Sequence, residues 1–267
     1  MVVLEKRLSR PGATIAFGDT ESGSPAVVLT HGASLDHTVF EAQARTLRSQ
    51  GYRVITWDLR GHGLSTLDPE ISFRTEDALA DLAALVDECG LDQVVLVGHS
   101  YGGNLAQAYA DTYPDRVAAQ FVLATTWKTK PLTIIERLAL NLTIPVLRLA
   151  PAPVIRHFRV RSLVSRRELR PATHRLLSHI PKHRLVDIWR GAIALLQDSP
   201  YRHVPTGLIR GTADTVLTLA AALPGWVQAE NLRVHPITGA RHLVTWDAPE
   251  AVSEALLQLL AEVPNVH

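Results

Sequence analysis

Cysteine is almost absent from the chain: Cys89 is the only one among 267 residues. A single cysteine cannot form an intrachain disulfide framework. A reducing compartment suits such a chain, so we expect a cytoplasmic protein, although an exported protein without disulfides would have the same composition. Cys89 falls on a predicted helix, and we expect it to be a packing residue with no redox role.

Long apolar runs are absent as well. No window of about 18 uncharged apolar residues exists, and a helix that crosses a membrane needs one. The N-terminal stretch is interrupted by four charged side chains, Glu5, Lys6, Arg7 and Arg10, within its first ten residues. We therefore expect neither a transmembrane helix nor a secretory signal peptide.

Three kinds of binding motif are missing. The chain has no Gly-rich phosphate loop and no dinucleotide fingerprint, so we expect no cofactor. The histidines of residues 127–203 have no metal-ligand spacing with carboxylates or cysteines, so we expect no metal. Aromatic residues make up only 6% of the chain, which is sparse for a surface that stacks bases, and we expect no nucleic-acid partner.

What the chain does contain is a regular alternation of strands and helices. Its hydrophobic fraction of 46% and charged fraction of 20% are ordinary for a globular protein. Apolar runs predict strands at 4–8, 13–17, 27–30, 53–57, 94–97, 120–124, 206–210 and 230–236. Helical spacing predicts helices at 38–50, 76–89, 104–113 and 249–262. This order predicts an α/β fold with a mostly parallel central sheet and helices on both faces.

The most informative stretch surrounds Ser100. A buried strand at 94–97 runs into Gly98-His99-Ser100-Tyr101-Gly102, and a helical pattern follows. A serine at a tight strand-to-helix turn has strained backbone geometry, and glycines on either side allow strand and helix to approach. This context is that of a nucleophile elbow, in which the serine hydroxyl stands above the strand end.

A serine nucleophile needs a base, and the base needs an acid that orients it. Downstream of Ser100, Asp214 follows the strand predicted at 206–210, and His242 follows the last predicted strand. Both lie at carboxyl ends of predicted parallel strands, where open α/β sheets place their sites. We therefore predict a catalytic triad of Ser100, His242 and Asp214.

These motifs resemble the α/β-hydrolase fold superfamily, in its lid-bearing esterase- and lipase-like branch. The resemblance covers residues 27–126 and 204–262. It rests on His31-Gly32, Asp58-x-Arg60-Gly61-His62-Gly63-x-Ser65, the elbow, Gly211-x-x-Asp214 and the late His242.

The resemblance implies a role for each matching residue. Ser100 would be the nucleophile, His242 the general base and then acid, and Asp214 its orienter. The backbone N–H groups of Ala33 and Tyr101 would form an oxyanion hole. Ser34 could add a hydroxyl near it. Apart from the resemblance, we expect the turn from Arg60 to Gly63 to fix the loop after its strand.

Serine at the elbow separates the chain from two groups of relatives. Epoxide hydrolases and dehalogenases of this fold use aspartate there, so Ser100 disfavours both reactions. Some relatives carry the acid after the preceding strand, where this chain has Thr125 and Thr126. Asp214 is therefore the well-placed acid.

Residues 127–203 interrupt the alternation with helical patterns and prolines. We expect a core of residues 1–126 and 204–267 and a helical lid at 127–203, which in this fold covers the active-site mouth. Residues 131–150 are rich in Leu, Ile and Val and should face the pocket. The predicted pocket residues are Ser34, Trp127, Trp189 and Leu243.

Charge divides the chain in the same way. Residues 127–203 hold 15 Lys and Arg against four Asp and Glu, while the remainder holds 12 against 22. Arginines cluster at 156–161 and 166–170. They could form a solvated helix face, capture an anionic substrate or leaving group, or rest weakly on anionic membrane lipid.

The leading interpretation is a serine hydrolase that cleaves a carboxylic ester, thioester or lactone of a small, mainly apolar substrate. The same residues would also serve a carbon–carbon bond hydrolase or a cofactor-free perhydrolase. An interpretation of another class is a small-molecule receptor that retains the triad for binding. The sequence leaves the acyl group, the alcohol and the oligomeric state open.

Overall fold

The structure is a computed structural model and describes residues 3–126, 133–196, 204–216, 225–228 and 232–263. Its strands in chain order are β1 (Lys6–Arg10), β2 (Ala13–Asp19), β3 (Ala26–Thr30), β4 (Arg53–Trp57), β5 (Thr66–Leu67), β6 (Val94–His99), β7 (Val117–Leu123), β8 (Thr206–Gly211) and β9 (Arg233–Ile237). They form one sheet in the order β1-β2-β4-β3-β6-β7-β8-β9, with the short β5 against β2.

The sheet is mostly parallel, as the alternation predicts. The strands from β4 to β9 in the sheet order run parallel, and an antiparallel hairpin of β1 and β2 extends the β4 edge. The carboxyl ends of β3, β6, β7, β8 and β9 therefore lie along one edge of the sheet.

The helices in chain order are α1 (Glu41–Ser49), α2 (Thr75–Glu88), α3 (Tyr101–Thr112), α4 (Ile134–Leu149), α5 (Ala152–Leu163), α6 (Arg170–Ser178), α7 (Lys182–Leu195) and α8 (Pro249–Leu260). Short helical turns lie at His37–Phe40, Pro114–Arg116, Arg167–Leu169, 225–228 and Val244–Asp247. Within the described ranges, no helix combines the length and the apolar character needed to cross a membrane.

Helices cover both faces of the sheet because successive side chains of a strand point to opposite sides. Val27 and Leu29 of β3 pack in one core cluster with α1 and α8. Val28, between them, packs in a second cluster with α2 and α3. Cys89 lies in this second cluster, where burial raises the pKa of its thiol to about 12. It is a packing residue, as predicted.

Several boundaries differ from the sequence prediction, and two of the differences have a clear physical reason. The first strand spans Lys6–Arg10 instead of 4–8, because it pairs with β2 as far as Arg10 opposite Ala13, across a turn in which Gly12 has φ +63°. Helix α3 begins at Tyr101, directly after Ser100, because the Ser100 carbonyl already accepts hydrogen bonds from the first turn of the helix.

Helices α4 to α7 occupy the region between β7 and β8. These two strands are neighbours in the sheet, so the chain leaves the sheet and returns to it at adjacent positions. α4 starts with a capping box in which Thr133 and Glu136 exchange hydrogen bonds. α4 packs on α7, and α5 packs on α6. These helices thus lie near the strand ends that carry Ser100 and Asp214.

Candidate active site

Ser100 lies in a strained turn between β6 and α3. Its φ of 51° and ψ of −115° fall in a region that non-glycine residues rarely adopt. A Cβ on Gly98 would lie 2.3 Å from the carbonyl oxygen of Gly102, and one on Gly102 would lie 2.2 Å from that of Thr30. Only glycine permits this approach of strand and helix. The predicted turn geometry is confirmed.

Hydrogen bonds from the N–H and to the carbonyl of Ser100 hold this conformation. The Ser100 N–H donates to the carbonyl of Leu123 at 2.8 Å, and the Ser100 carbonyl accepts from the N–H groups of Gly103 at 2.9 Å and Asn104 at 3.1 Å. The Thr125 hydroxyl donates to the same carbonyl. Thr125 stands where some relatives carry the acid, and here it supports the backbone of Ser100 instead.

The structure brings Ser100, His242 and Asp214 together. His242 Nε2 lies 2.9 Å from Ser100 Oγ, and His242 Nδ1 lies 2.8 Å from Asp214 Oδ2. The three residues follow β6, β9 and β8 at the carboxyl edge of the sheet. The chain of contacts therefore runs from hydroxyl to imidazole to carboxylate, as the spacing in the sequence predicts.

The loops that carry Asp214 and His242 are fastened to each other. Ala213 N–H donates to the carbonyl of Ala240 at 3.0 Å, and Thr212 N–H donates to that of Ile237 at 2.9 Å. A Cβ on Gly211 would lie 2.2 Å from the Ala240 carbonyl oxygen. Gly211 is thus needed for the close approach of the two loops, which fixes the acid relative to the histidine.

The Asp214 carboxylate fixes the state of His242. Burial alone raises a carboxyl pKa, but the hydrogen bond and the charge of His242, together with the Val216 N–H, outweigh it, and the pKa of Asp214 lies below its ordinary value. The carboxylate is ionised at neutral pH and accepts from Nδ1–H. With its Nδ1 proton directed at the carboxylate, the His242 ring, when neutral, presents the lone pair of Nε2 to Ser100 Oγ.

His99 supports His242 from the interior. Its Nε2–H donates to the main-chain carbonyl of His242 at 2.8 Å, and the two rings meet edge to face with centroids 5.2 Å apart. Burial, with a further contribution from His242, lowers the pKa of His99 to about 3, so the ring is neutral. Sequence reasoning missed this role, because the motif identifies position 99 only as a variable residue.

Ala33 and Tyr101 lie on either side of Ser100, at the carboxyl end of β3 and the start of α3. Among the described residues, neither N–H group has a hydrogen-bond acceptor. Two free N–H groups near a serine hydroxyl suit the stabilisation of an oxyanion. Ser34 N–H is committed elsewhere, since it donates to His62 Nε2 at 3.2 Å.

A polar network holds the loop that carries Ala33. Leu59 N–H donates to His31 Nε2 at 3.0 Å, so the His31 proton lies on Nδ1 and donates to the carbonyl of Gly32 at 2.8 Å. His62 is fully buried, which lowers the pKa of its ring to about 3. Its Nδ1–H donates to the carbonyl of Arg60 at 3.0 Å.

The turn from Arg60 to Gly63 is anchored by carboxylates. Arg60 forms a buried two-point ion pair with Asp81, with both nitrogen–oxygen distances at 2.7 Å. The Asp58 carboxylate accepts from the N–H groups of His37 and Leu64, at 2.7 Å each. The predicted loop-fixing role of this turn is confirmed.

A cavity of about 480 Å³ opens above Ser100. Ser100, His99, His242 and Ala33 form one wall. Helices α4, α5 and α7 form the other, mainly with apolar side chains such as Leu142 of α4. The volume suits a small organic ligand.

The four predicted pocket residues differ in where they lie relative to the cavity. Trp189 lines the cavity, and its ring N–H donates to Thr143 of α4. Leu243 does not line it: its side chain is fully buried in the core, and its N–H donates to the Leu163 carbonyl at 2.7 Å. Ser34 is buried beside the cavity without lining it. Trp127 lies outside the described residues.

The arginine cluster divides between the inside and the outside of the molecule. Arg159 of α5 lines the cavity. Arg161, Arg166 and Arg167 are exposed, and Arg166 Nε donates to Glu168 at 2.8 Å. The sequence pattern could not separate these positions.

Asp247 is a second residue that sequence reasoning missed. Its carboxylate accepts from the N–H of Arg241 at 2.8 Å and from the N–H of Ser165 at 2.9 Å. It thus joins the loop of His242 to the chain between α5 and α6. Within the described segments, no three His, Cys, Asp or Glu side chains are grouped in a way that could hold a metal ion.

Comparison with known proteins gives matches over most of the chain. A family model described as alpha/beta hydrolase fold matches residues 25–249. The solved structure of a thermophilic esterase from Thermogutta terrifontis, with malate bound, is 25% identical in sequence and has a TM-score of 0.79. The match covers 97% of this chain and 99% of the esterase. A Synechocystis protein, whose name describes it as a candidate non-heme chloroperoxidase, is 28% identical over 264 residues, which are 92% of this chain and 94% of that protein.

A third relative shares a shorter region. Bifunctional epoxide hydrolase 2 of Sus scrofa is 36% identical over 119 residues, or 44% of this chain. The chain spans only 21% of the length of that protein.

Proposed function

The chain belongs to the α/β-hydrolase fold family, and we propose that it is a serine hydrolase of a carboxylic ester, thioester or lactone. Ser100 is the nucleophile, His242 is the general base and then the general acid, and Asp214 orients His242. The observation that carries this proposal is the continuous contact from Ser100 Oγ to His242 Nε2 at 2.9 Å and from His242 Nδ1 to Asp214 at 2.8 Å.

The first half of the reaction acylates the enzyme. Ser100 Oγ attacks the substrate carbonyl carbon while His242 Nε2 takes the hydroxyl proton. The carbonyl oxygen becomes an oxyanion, which the N–H groups of Ala33 and Tyr101 bind. His242 then gives its proton to the leaving alcohol, thiol or lactone oxygen, and the carbonyl re-forms as an acyl-enzyme.

The second half returns the enzyme to its starting state. Water enters in place of the leaving group, and His242 takes a proton from it as its oxygen attacks the acyl carbon. The second tetrahedral intermediate collapses, the bond to Ser100 Oγ breaks, and His242 returns the proton to Ser100. Asp214 remains ionised throughout and stabilises the imidazolium form of His242.

Residues 127–203 act in this proposal as a lid that selects the substrate. The support comes from α4, α5 and α7, which form the wall of the cavity opposite Ser100. Because the side chains that α4 contributes are apolar or uncharged, the acyl or alcohol portion that lies against them is apolar. The substrate is a small molecule that fits about 480 Å³.

A second candidate reaction is perhydrolysis on the same acyl-enzyme. The similarity to the Synechocystis protein, along nearly its whole length, favours it. Hydrogen peroxide would replace water in the second half, attack the acyl carbon and leave as a peracid, and Ser100 would regain its proton. Adding hydrogen peroxide during ester turnover and measuring peracid separates the two outcomes.

The short match to the pig epoxide hydrolase does not support epoxide opening here. In that reaction of this fold an aspartate at the elbow is the nucleophile, and this chain has Ser100 in that position. The similarity extends over 44% of the chain and supports the fold rather than the reaction.

The experiment that tests the proposal is turnover of 4-nitrophenyl esters by the wild-type protein and by Ser100→Ala. The variant should keep the fold, because Ser100 lies at a turn, and should lose activity by about 10³-fold or more. Retention of more than about a tenth of the activity would contradict the assignment. Many turnovers per chain distinguish an enzyme from a receptor that reacts once.

A further inference from the structure

We propose that Arg159 binds an anionic group of the substrate, a carboxylate in the simplest case, inside the cavity above Ser100. The inference rests on the proposed hydrolase function and specifies its substrate class. The substrate would then be an ester or lactone with a negative charge on its acyl portion or on its alcohol portion.

Arg159 projects from α5 into the same cavity that Ser100 and His242 line. Its Nη2 donates to the carbonyl oxygen of Ala33 at 3.1 Å. Ala33 is the residue whose N–H we place in the oxyanion hole. The guanidinium therefore lies at the wall next to the reacting atoms.

The Arg159 guanidinium has no acidic partner in the part of the chain that the structure describes. No described Asp or Glu lies within ion-pair distance of it, whereas Arg60, which is buried in the core, is paired with Asp81 at 2.7 Å. The segments outside the described residues contain only two acidic side chains, Asp198 and Glu230. The side chain is half-buried, and a charge held against an apolar cavity without a counter-charge is costly, so a ligand that supplies one relieves that cost.

The charge of Arg159 persists at neutral pH. Burial lowers the pKa of the guanidinium to about 10, which still leaves it protonated. An arginine has five N–H donors, and one hydrogen bond, to the carbonyl of Ala33, is formed with the described residues. The planar group can therefore still offer donors to a carboxylate.

The surroundings strengthen the preference for an anion. The cavity wall formed by α4 is apolar or uncharged, with side chains such as Leu142, Val146 and Leu147. Apolar side chains lower the local dielectric, so a charge acts more strongly beside them than at the open surface. The neighbouring arginines Arg161 and Arg166 point away into solvent and do not share this environment.

The test compares pairs of esters that differ only in charge. On the acyl side the pair is mono(4-nitrophenyl) adipate and methyl 4-nitrophenyl adipate, with shorter and longer diacids as a series. On the alcohol side the pair is 4-(butanoyloxy)benzoate and its methyl ester. The quantity measured is kcat/KM for the anionic ester divided by kcat/KM for its neutral partner.

Arg159→Met removes the charge and keeps the length of the side chain. Arg161→Met is the matched control, because Arg161 lies two residues further along the same helix and is exposed. In one of the two arms we expect the wild type to prefer the anion by about tenfold or more. We expect Arg159→Met to lower that ratio on the order of 30-fold or more, and Arg161→Met to leave it within about twofold.

Arg159→Met also removes the contact with Ala33 and could lower activity on every ester, or fail to fold. The ratio of the two esters corrects for a general loss. Arg159→Lys keeps a positive charge if the Met variant does not fold, and we expect it to retain a preference for the anion. A purely structural role for Arg159 would reduce both members of a pair equally.

Failure of this inference differs from failure of the proposed function. Two results would overturn the role of Arg159 and leave the hydrolase proposal standing. One is turnover of the neutral esters with no preference for the anionic ester in either arm, and the other is the same ratio in Arg159→Met and Arg161→Met. If no ester is turned over, binding of the anion is tested by the midpoint temperature of thermal unfolding, measured in monomethyl adipate and in dimethyl adipate. A rise with the monoanion that Arg159→Met loses supports the anion site, and no such rise overturns it.

Discussion

The Nε2–H of His99 donates a hydrogen bond to the main-chain carbonyl of His242 at 2.8 Å. His99 immediately precedes Ser100 in the chain, so this bond joins the loop of the proposed base to the turn of the proposed nucleophile. The other ring nitrogen of His99, Nδ1, is buried and has no partner among the described residues. We therefore expect His99 to act on the site through the position of His242.

His99→Ala should lower kcat about tenfold, because it loosens the backbone of His242, and should change KM less, because the apolar wall formed by α4, α5 and α7 is unaltered. Steady-state kinetics on a 4-nitrophenyl ester measure kcat and KM separately. His99→Gln, whose side-chain amide can donate to the same carbonyl, should recover part of the loss. A change confined to KM, or equal kcat values for His99→Ala and the wild type, would contradict the positioning role.

Asp214→Asn and His242→Ala should each reduce kcat by about 10³-fold, and their effects should not add. The two residues act on Ser100 as one unit, so removing the second after the first costs little. The measurement is kcat for both single variants and the double variant. If the double variant loses the product of the two single effects, His242 and Asp214 work independently and the proposed relay is wrong.

Acid should destabilise the protein through its buried histidines. The folded pKa values of His62 and His99 are about 3, below the ordinary value of 6.5. As the pH falls below about 6.5, the unfolded chain takes up protons that the folded chain does not, so unfolding becomes easier. Each histidine should lower the free energy of unfolding by about 2 kcal/mol between pH 7 and pH 5.

Urea unfolding at pH 7 and pH 5 checks this prediction. Between pH 7 and pH 5, the free energy of unfolding of His62→Gln should fall by about 2 kcal/mol less than that of the wild type. The exposed His174 provides the control, since His174→Gln should show the same loss as the wild type. Identical pH dependence in His62→Gln and the wild type would contradict the assignment of a buried neutral ring.

Substrate preference should rise with acyl length until the cavity is full. Each buried methylene contributes about 0.8 kcal/mol, or roughly a fourfold gain in kcat/KM. Trp189 lines the cavity from α7, so Trp189→Ala should reduce this gain on longer esters and leave the acetyl ester little changed. A neutral series from acetyl to decanoyl measures the slope. A flat series in the wild type, or an equal loss on every ester in the variant, would show that the proposed lid does not select by apolar contact.

The sequence predicted the parts of the site that local patterns determine. Ser100 lies between a buried strand and a helix, and glycines at 98 and 102 are needed for that turn whatever surrounds it. Asp214 and His242 follow strands, and neighbouring parallel strands end at one edge of the sheet. Their meeting therefore follows from the order of elements once the sheet is known to be parallel.

The remaining parts depend on contacts between distant segments, which no local pattern encodes. His99 reaches His242 across 143 positions of the chain. Leu243 follows His242 directly, yet its side chain is buried in the core, and its N–H donates to the carbonyl of Leu163, 80 positions earlier. Arg159 belongs to a run of arginines that look alike in the sequence, and the packing of α5 decides which one faces the cavity.

The most direct test of the proposed serine nucleophile is labelling with a fluorophosphonate, followed by intact-mass measurement and peptide mapping. We predict one label per chain, attached to Ser100, with the rate of labelling reduced by about 10³-fold in His242→Ala. Methyl 4-nitrophenyl adipate added beforehand should slow the labelling by competing for the cavity. An unlabelled chain, or a label on any residue other than Ser100, would contradict the assignment of Ser100 as the nucleophile.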